Sequence, residues 1–454
     1  MPFLNTFNSG SSKGFGFLKG VVLNPPTGMA TVVSETSVSV SFTAPSGDTP
    51  SNIEYRLSTN GGSTYGSWIA LSPPDITSPI TISGLTSNEA YTAQLRTTLL
   101  GQFSEPSTSF NFQTLAAAPT GLSASSITTT SFVLSFSQAT GGGETISNYK
   151  YALSTNGGSS YGAYTALSPA DATSPVTISG LSSGTAYVVK IRAVTAAGDG
   201  TESAGLSVTT ALPEISGVEY LVIAGGGGGG SSGGGERAGG GAGGYKTSVA
   251  SSTNGGGQAL GSTMTLGTGT YAVTVGGGGN GSSAPTAGAS SVFNGITSTG
   301  GGVGGNGGTN PGGSAGSFGY GGGSSINNSA GGGGGGSGSA GGNASSGVAG
   351  NGGSGLSNSI TGSSVARGGG GGGSSPTGVS GSGGSGGGGA AYTSGTVNTG
   401  GGGGGGGGAG GSGIVIVRYL TSSASGLTVT GGTKTTSGSY TIHTFTSSGS
   451  LVIA

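Results

Sequence analysis

The chain has 454 residues, of which 112 are glycine, with a net charge of −1 and only 6% charged side chains. That length allows three or four domains, and so few charges leave no electrostatic footprint for nucleic acid or an anionic membrane. Cysteine is absent, which excludes disulfides, thiolate metal sites and a cysteine nucleophile.

Residues 1–23 are too few for a domain. They mix Phe3, Leu4, Phe7, Phe15, Phe17 and Leu18 with glycines and two lysines. Such a segment is either a frayed terminus or an attachment peptide whose apolar side chains order on a partner; as an attachment peptide, those six residues are the expected contacts. The Met1-Pro2-Phe3-Leu4 start lacks the basic-then-apolar pattern of a signal peptide, and no apolar run is long enough to span a bilayer. The expectation is synthesis in a cytoplasm, no membrane insertion, and any exit by a route such as host lysis.

Residues 24–115 and 116–213 form an internal repeat. Ser51-Asn52-Ile53-Glu54-Tyr55 through Asn60-Gly61-Gly62 returns 96 positions later as Ser147-Asn148-Tyr149-Lys150-Tyr151 through Asn156-Gly157-Gly158. The same shift relates Thr81-Ile82-Ser83-Gly84-Leu85 to Thr177-Ile178-Ser179-Gly180-Leu181. Short runs alternate apolar and polar residues, as in Val38, Val40, Phe42 and Tyr187, Val189, Ile191, and Asn-Gly-Gly or Pro-rich turns separate them. About seven strands in each unit predict a two-sheet sandwich. The Asn-Gly-Gly segments lie between strands, so they read as hairpin turns and not as phosphate loops. With Pro-Thr-Gly at each start and Gly-Leu ahead of Tyr91 and Tyr187, both units resemble fibronectin type III domains. The tryptophan usual in that core is missing, and Phe42 and Phe136 are expected to replace it.

Residues 214–420 are dominated by glycine runs such as Gly225–Gly230, Gly331–Gly336, Gly368–Gly373 and Gly401–Gly408. Composition alone fits a flexible linker. Near-absence of charge argues for order, as do the strand candidates bounding the tract, Val218–Ala224 and Ile414–Tyr419. A segment without side chains can order as extended three-residue helices, whose amides must bond to neighbours. Gly269–Gly276 and Ala289–Phe293 read as further strands. The sequence Glu-Tyr-Leu-Val-Ile-Ala-Gly₆, with Tyr-Ala-Val-Thr-Val-Gly-Gly and Gly-Ser-Gly-Ile-Val-Ile-Val-Arg-Tyr after it, resembles a glycine-rich domain common in phage and environmental bacterial proteins. In its runs with interposed turns it is also similar to the tip adhesins of long tail fibres in T-even-like phages. That resemblance implies packed polyglycine helices whose turns recognise a host surface. A calcium-binding β-roll is excluded, because no aspartate follows Asp199.

Residues 421–454 carry β-signals at Leu427–Val429, Tyr440–Phe445 and Leu451–Ile453, and are expected to form a hairpin or an added strand. His443, the single histidine, falls on the polar side of its strand and is expected at the surface. One histidine and no cysteine remove most nucleophile–base pairs and metal sites. The aspartates Asp48, Asp75, Asp171 and Asp199 sit in turn-like contexts, and Glu236 beside Arg237 reads as a local ion pair. The chain is therefore expected to be non-enzymatic, without cofactor or metal.

The fold class read from sequence is all-β and multidomain: two sandwiches, then a glycine-rich module of packed helices with flanking strands, and negligible α-helix. The function expected is a virion fibre or receptor-binding protein, attached to a virion protein through its N-terminus and contacting a host surface glycan or protein. Assembly into a homo-oligomer such as a trimer is left open. Tyr245, Phe318, Tyr320, Arg367 and Tyr392 are the expected receptor contacts, because aromatics in turns can stack on sugars or apolar loops. Phe293, within a strand, is expected to be core. The rival readings are a purely structural virion subunit and a bacterial surface adhesin.

Overall fold

The computed structural model describes residues 20–231, 237–250, 252–306 and 311–454. The six expected attachment residues, Phe3 to Leu18, and Glu236 lie outside them. The chain divides into two compact units, Met1–Ala211 and Leu212–Ala454. It is all-β: among the described residues the only helical elements are short 3₁₀ turns at Gly255–Gly257 and Thr421–Ala424.

The first unit holds the two repeats. Each pairs a three-stranded sheet with a five-stranded one. In the first, Thr27–Val33, Ser37–Thr43 and Ile80–Ser83 face a sheet centred on Asn52–Ser58 and Ala90–Leu99. Alternation sends Val38, Val40 and Phe42 inward, where they meet Ile53, Ile82 and Leu95. The repeat extends to register: Asn52↔Thr98 through Ser58↔Thr92 becomes Asn148↔Val194 through Ser154↔Val188. Phe42 and Phe136 are both core residues. The Tyr91 hydroxyl accepts from the Thr86 amide at 2.9 Å and that of Tyr187 from the Ser182 amide at 3.0 Å, the corner that fixes this kind of sandwich. The single tryptophan serves elsewhere. Trp68 lies between the Arg56 and Arg96 guanidinium groups, 4.6 and 4.4 Å from its ring, a cation–π arrangement half-buried on the sheet's outer face.

The two sandwiches are clipped together at Asn88, a buried residue with φ of 50°. Its Nδ2 donates to the Glu144 carbonyl at 2.7 Å, and the Gly142 amide donates to the Ser87 carbonyl at 2.8 Å. The equivalent position in the second repeat is Gly184, which has no side chain for such a clip.

The second unit is built on two sheets. One runs Tyr245–Thr247, Glu214–Ile223, Ile414–Leu420, Tyr440–Phe445, Thr433–Ser437, with Met264–Gly267 also paired to Glu214–Ile223. The other runs Ile296–Ser298, Ser291–Phe293, Gly269–Thr274, Gly449–Ile453, Val429–Thr430. Tyr220, Val222, Val415 and Val417 join Phe293, Phe445 and Leu451 in one core. Leu221, Ile223, Ile414 and Ile416 pack into a second core with Tyr245 and Ile360. The first sheet is thus buried on both faces, which is why its central strands are continuously apolar. Phe293 is core, as its place in a strand implied.

Residues 421–454 do not stand apart. Tyr440–Phe445 pairs with Ile414–Leu420, and Gly449–Ile453 pairs with Gly269–Thr274, so the C-terminal strands complete both sheets. This also corrects the placement of His443, which is buried. Its Nδ1 lies 2.7 Å from the Gly431 carbonyl and its Nε2 3.2 Å from the Tyr419 hydroxyl. Alternation mispredicts it because both faces of this sheet are covered.

Between the central strands lies the glycine tract. Ile223 pairs with Ile414, so the chain leaves and rejoins the sheet at adjacent positions. The amides of Gly225, Gly226 and Gly227 donate to Ala289, Gly411 and Gly241 at 3.0, 2.9 and 2.8 Å. Three residues on, Gly228, Gly229 and Gly230 return to the same three segments at Thr286, Gly408 and Ala238. The carbonyls of Gly225, Gly226 and Gly227 accept from three others, at Gly301, Gly279 and Gly403. This run is therefore bonded to six segments, and no side chain takes part. Every glycine from Gly225 to Gly230 is buried.

Candidate functional site

Hydrogen bonding fixes which turns share an end of this module. Gly225–Gly230 runs away from the sheets, and the segment from Ala238 returns beside it into the Tyr245–Thr247 strand, with Gly227 bonded to Gly241 and Gly230 to Ala238. Arg237 therefore sits at the end distal to the sheets. Ser374 donates to the Arg237 carbonyl at 2.9 Å, Gly331 to Ser374 at 3.0 Å, and Gly350 to Gly331 at 2.9 Å. The turns following or preceding these residues lie at the same distal end.

Five sequence candidates separate into three groups. Tyr245 is 0% exposed and Arg367 is 8% exposed, so neither is available to a surface partner. Tyr245 lies on a strand packed under the glycine runs, and burial pushes its hydroxyl up to about 12. Burial draws the Arg367 guanidinium below its ordinary value, and its Nη1 has no hydrogen-bond partner among the described residues. The alternation of turn and run hid this, because a short strand between glycine runs reads as a turn.

Phe318 and Tyr320 are at the sheet-proximal end. Phe318 is half-buried with φ of 61°, and Lys246 Nζ stands 4.5 Å from its ring. Tyr320 is exposed, with its amide bonded to Gly336 at 3.0 Å.

Tyr392 is at the distal end. It is 53% exposed, has φ of 66°, and its amide donates to the Gly405 carbonyl at 2.8 Å. Positive φ is unusual for an aromatic residue and is retained only where the surroundings enforce it. The amide bond to Gly405 ties the backbone here, and Gly406, whose missing Cβ leaves room for the Tyr392 ring, accommodates the side chain. The Arg237 guanidinium lies 5.9 Å from that ring, and its Nη1 donates to the hydroxyl at 3.4 Å.

The distal end also holds residues that sequence reasoning missed. Ile326, Val348 and Val379 are exposed, Val379 at 65%. Their turns are laced together: the Val379 amide donates to Gly347 and the Ala349 amide to Val379, both at 2.8 Å. Gly347 donates to Ser329 Oγ at 2.7 Å, and Ser375 Oγ donates to the Ser329 carbonyl at 2.9 Å. Three branched aliphatic side chains thus stand in adjacent turns on a body otherwise made of backbone. The signal was available, since each is a lone aliphatic inside a Ser/Asn/Gly turn between runs. No group of three or more His, Asp or Glu side chains that could hold a metal occurs among the described residues.

Comparison with known proteins agrees with this division. A family model described as "Fibronectin type III domain" matches residues 117–209, and one described as "Glycine-rich domain" matches residues 201–420. Among solved structures, the chain is similar to a two fibronectin type-III domain segment from chicken tenascin. Identity is 17%, covering 41% of this chain and 100% of that one, with a TM-score of 0.27. The FN1–FN3 domains of chicken CNTN1 match at 13% identity, covering 41% and 68%, with a TM-score of 0.25. No curated protein matches the chain. Fibronectin type III modules are structural and adhesive units, which is consistent with a non-enzymatic chain. No described helix is long and apolar enough to cross a membrane. The chain is a tandem of fibronectin type III-like domains followed by a distinct glycine-rich domain.

Proposed function

We propose that this chain is a non-enzymatic virion fibre or receptor-binding protein, whose sandwiches are carrier domains and whose glycine-rich domain contacts the host. We read the runs as packed polyproline-II-type helices. The return of each hydrogen-bond direction after three residues is the repeat of that helix, and glycine alone lets neighbours approach closely enough to bond on every side. A body of that kind is cohesive without side chains, which leaves its turns free to carry recognition.

The observation that carries the functional reading is the distal end. Ile326, Val348, Val379 and Tyr392 are exposed there in turns at one end of the glycine-rich domain. Clustered apolar and aromatic residues on turns held by a rigid frame suit a binding surface. The partner is a host surface glycan or protein, and the N-terminal segment joins the chain to a virion protein. The resemblance to phage glycine-rich domains and tail-fibre adhesins supports the same reading.

Binding of purified protein to candidate host cells tests it. The wild-type chain should bind one host strain, and a variant with Ile326, Val348 and Val379 changed to serine and Tyr392 to alanine should lose binding while melting unchanged. Equal binding by the variant would place recognition elsewhere. Binding to no strain, with normal incorporation into particles, would favour the purely structural subunit.

A further inference from the structure

The second sandwich carries a groove of about 500 Å³ between the Thr165–Ala166 strand, the turn through Pro169 to Asp171, and the Val176–Ser179 strand, with Tyr151 in its wall. The internal repeat supplies a reference for it. Shifted by 96 positions, Thr165, Ala170 and Val176 stand where the first sandwich has Ile69, Pro74 and Ile80. All three are smaller. Leu167 is half-buried where its counterpart Leu71 is buried. The central strands keep the same register in both copies, so the walls have been trimmed on an unchanged frame.

The polar groups are shared with the first sandwich, where Asp75 makes the same bonds to Asn52 and Thr77, so the trimmed walls alone set this groove apart. Asp171 is held in place: its amide donates to Asn148 Oδ1 at 3.1 Å, while its own Oδ1 accepts from the Thr173 amide at 2.9 Å and hydroxyl at 2.7 Å. Those bonds keep the carboxylate below its usual range, and Oδ2 is left to accept from a ligand. Thr177 and Ser179 add hydroxyls, Tyr151 and Pro169 add apolar surface, and no lysine or arginine lines the groove. An anion would meet a carboxylate and no compensating cation. A polyhydroxylated neutral molecule would find acceptors for its hydroxyls and flat apolar surface for its C–H faces.

We propose that this groove binds a neutral saccharide of one or two rings, which makes the second sandwich a binding domain in its own right. The site shares no residue with the distal turns of the glycine-rich domain, and its test is independent of theirs.

The full chain is titrated with lactose, maltose and chitobiose, followed by calorimetry and ligand-observed NMR. One of the three should bind at millimolar concentration. The double variant Thr165→Ile/Ala170→Pro installs the first sandwich's own residues, which that frame accommodates, and should weaken binding at least tenfold with unchanged melting. Asp171→Asn keeps an oxygen for Thr173 and removes the charge; it should weaken binding several-fold. Absence of binding by all three sugars overturns the proposal, as does binding that survives the double variant. Binding of tetramethylammonium or N-acetylneuraminate as strong as that of the best neutral sugar overturns the ligand class.

Discussion

Replacing Gly371 by alanine, with Gly321→Ala as its control, tests whether the glycine tract is a packed solid. At Gly371 a Cβ would fall 2.6 Å from the Gly403 carbonyl carbon and closer still to its oxygen. Both atoms are backbone, so no side chain can turn away. The Gly403 segment must move, and its carbonyl holds the Gly240 amide at 2.7 Å while its amide holds Gly227 at 2.9 Å. Overpacking costs about 1–3 kcal/mol, and each strained hydrogen bond about 0.5–1.5 kcal/mol. Against this, alanine restricts the unfolded chain, a gain of about 0.4–1 kcal/mol. The net expectation is a loss of about 2–4 kcal/mol. At Gly321 nothing lies within 4 Å of the added Cβ and φ is not in the left-handed region, so only the gain of about 0.4–1 kcal/mol remains. Protease resistance of the glycine-rich domain in a urea series measures both, since Trp68 reports only on the first sandwich. Valine at Gly404, where a Cβ would lie 2.6 Å from the Ala390 carbonyl carbon, should be at least as damaging as alanine at Gly371. Equal tolerance at Gly371 and Gly321 would refute the reasoning, because a flexible tract cannot distinguish them.

Three further outcomes are expected. Burial holds His443 below its ordinary value of 6.5, so the unfolded chain takes up the proton more readily. Stability of the glycine-rich domain should be full above about pH 6.5 and fall as pH drops below it, a slope that His443→Gln should flatten in urea midpoints. Arg418 Nε donates to Glu219 Oε2 at 2.5 Å with both side chains 13% exposed; Glu219→Gln should cost about 1–2 kcal/mol in urea unfolding by removing the counter-charge of a partly buried cation, and an unchanged midpoint would contradict this. A fragment of residues 24–213 should fold alone, giving a β-type far-UV spectrum and a cooperative melt, because each sandwich has its own core.

The sandwiches were legible because the repeat copies residues, turns and spacing together, so that Asn52 and Asn148 announce the same strand in the same register. The paired strands bounding the glycine tract were legible from their unbroken apolar runs. What escaped were positions set by layers far away in sequence. His443 alternates like a surface residue, yet the strand it occupies is covered on both sides. Tyr245 and Arg367 look like turn residues between glycine runs, and the runs that bury them carry no side chains to betray a neighbour. Ile326, Val348 and Val379 escaped for a different reason, since aromatics in turns carry the stronger sequence signal for binding and a lone aliphatic in a Ser/Asn/Gly turn carries little.

The lattice of amides has a consequence for how such a molecule can vary. An ordinary core couples positions through side-chain volume, so change at one site demands change at others. Here the bonds among Gly225–Gly230 and the six segments around it are all main chain to main chain, and every residue type except proline brings the same two groups to them. Substitutions in the turns leave that inventory untouched. A lineage carrying this scaffold can therefore diversify its distal turns one by one, or lengthen them, without compensating replacements inside. Cohesion around Gly225–Gly230 is written in peptide groups, and the side chains of the turns are left out of it.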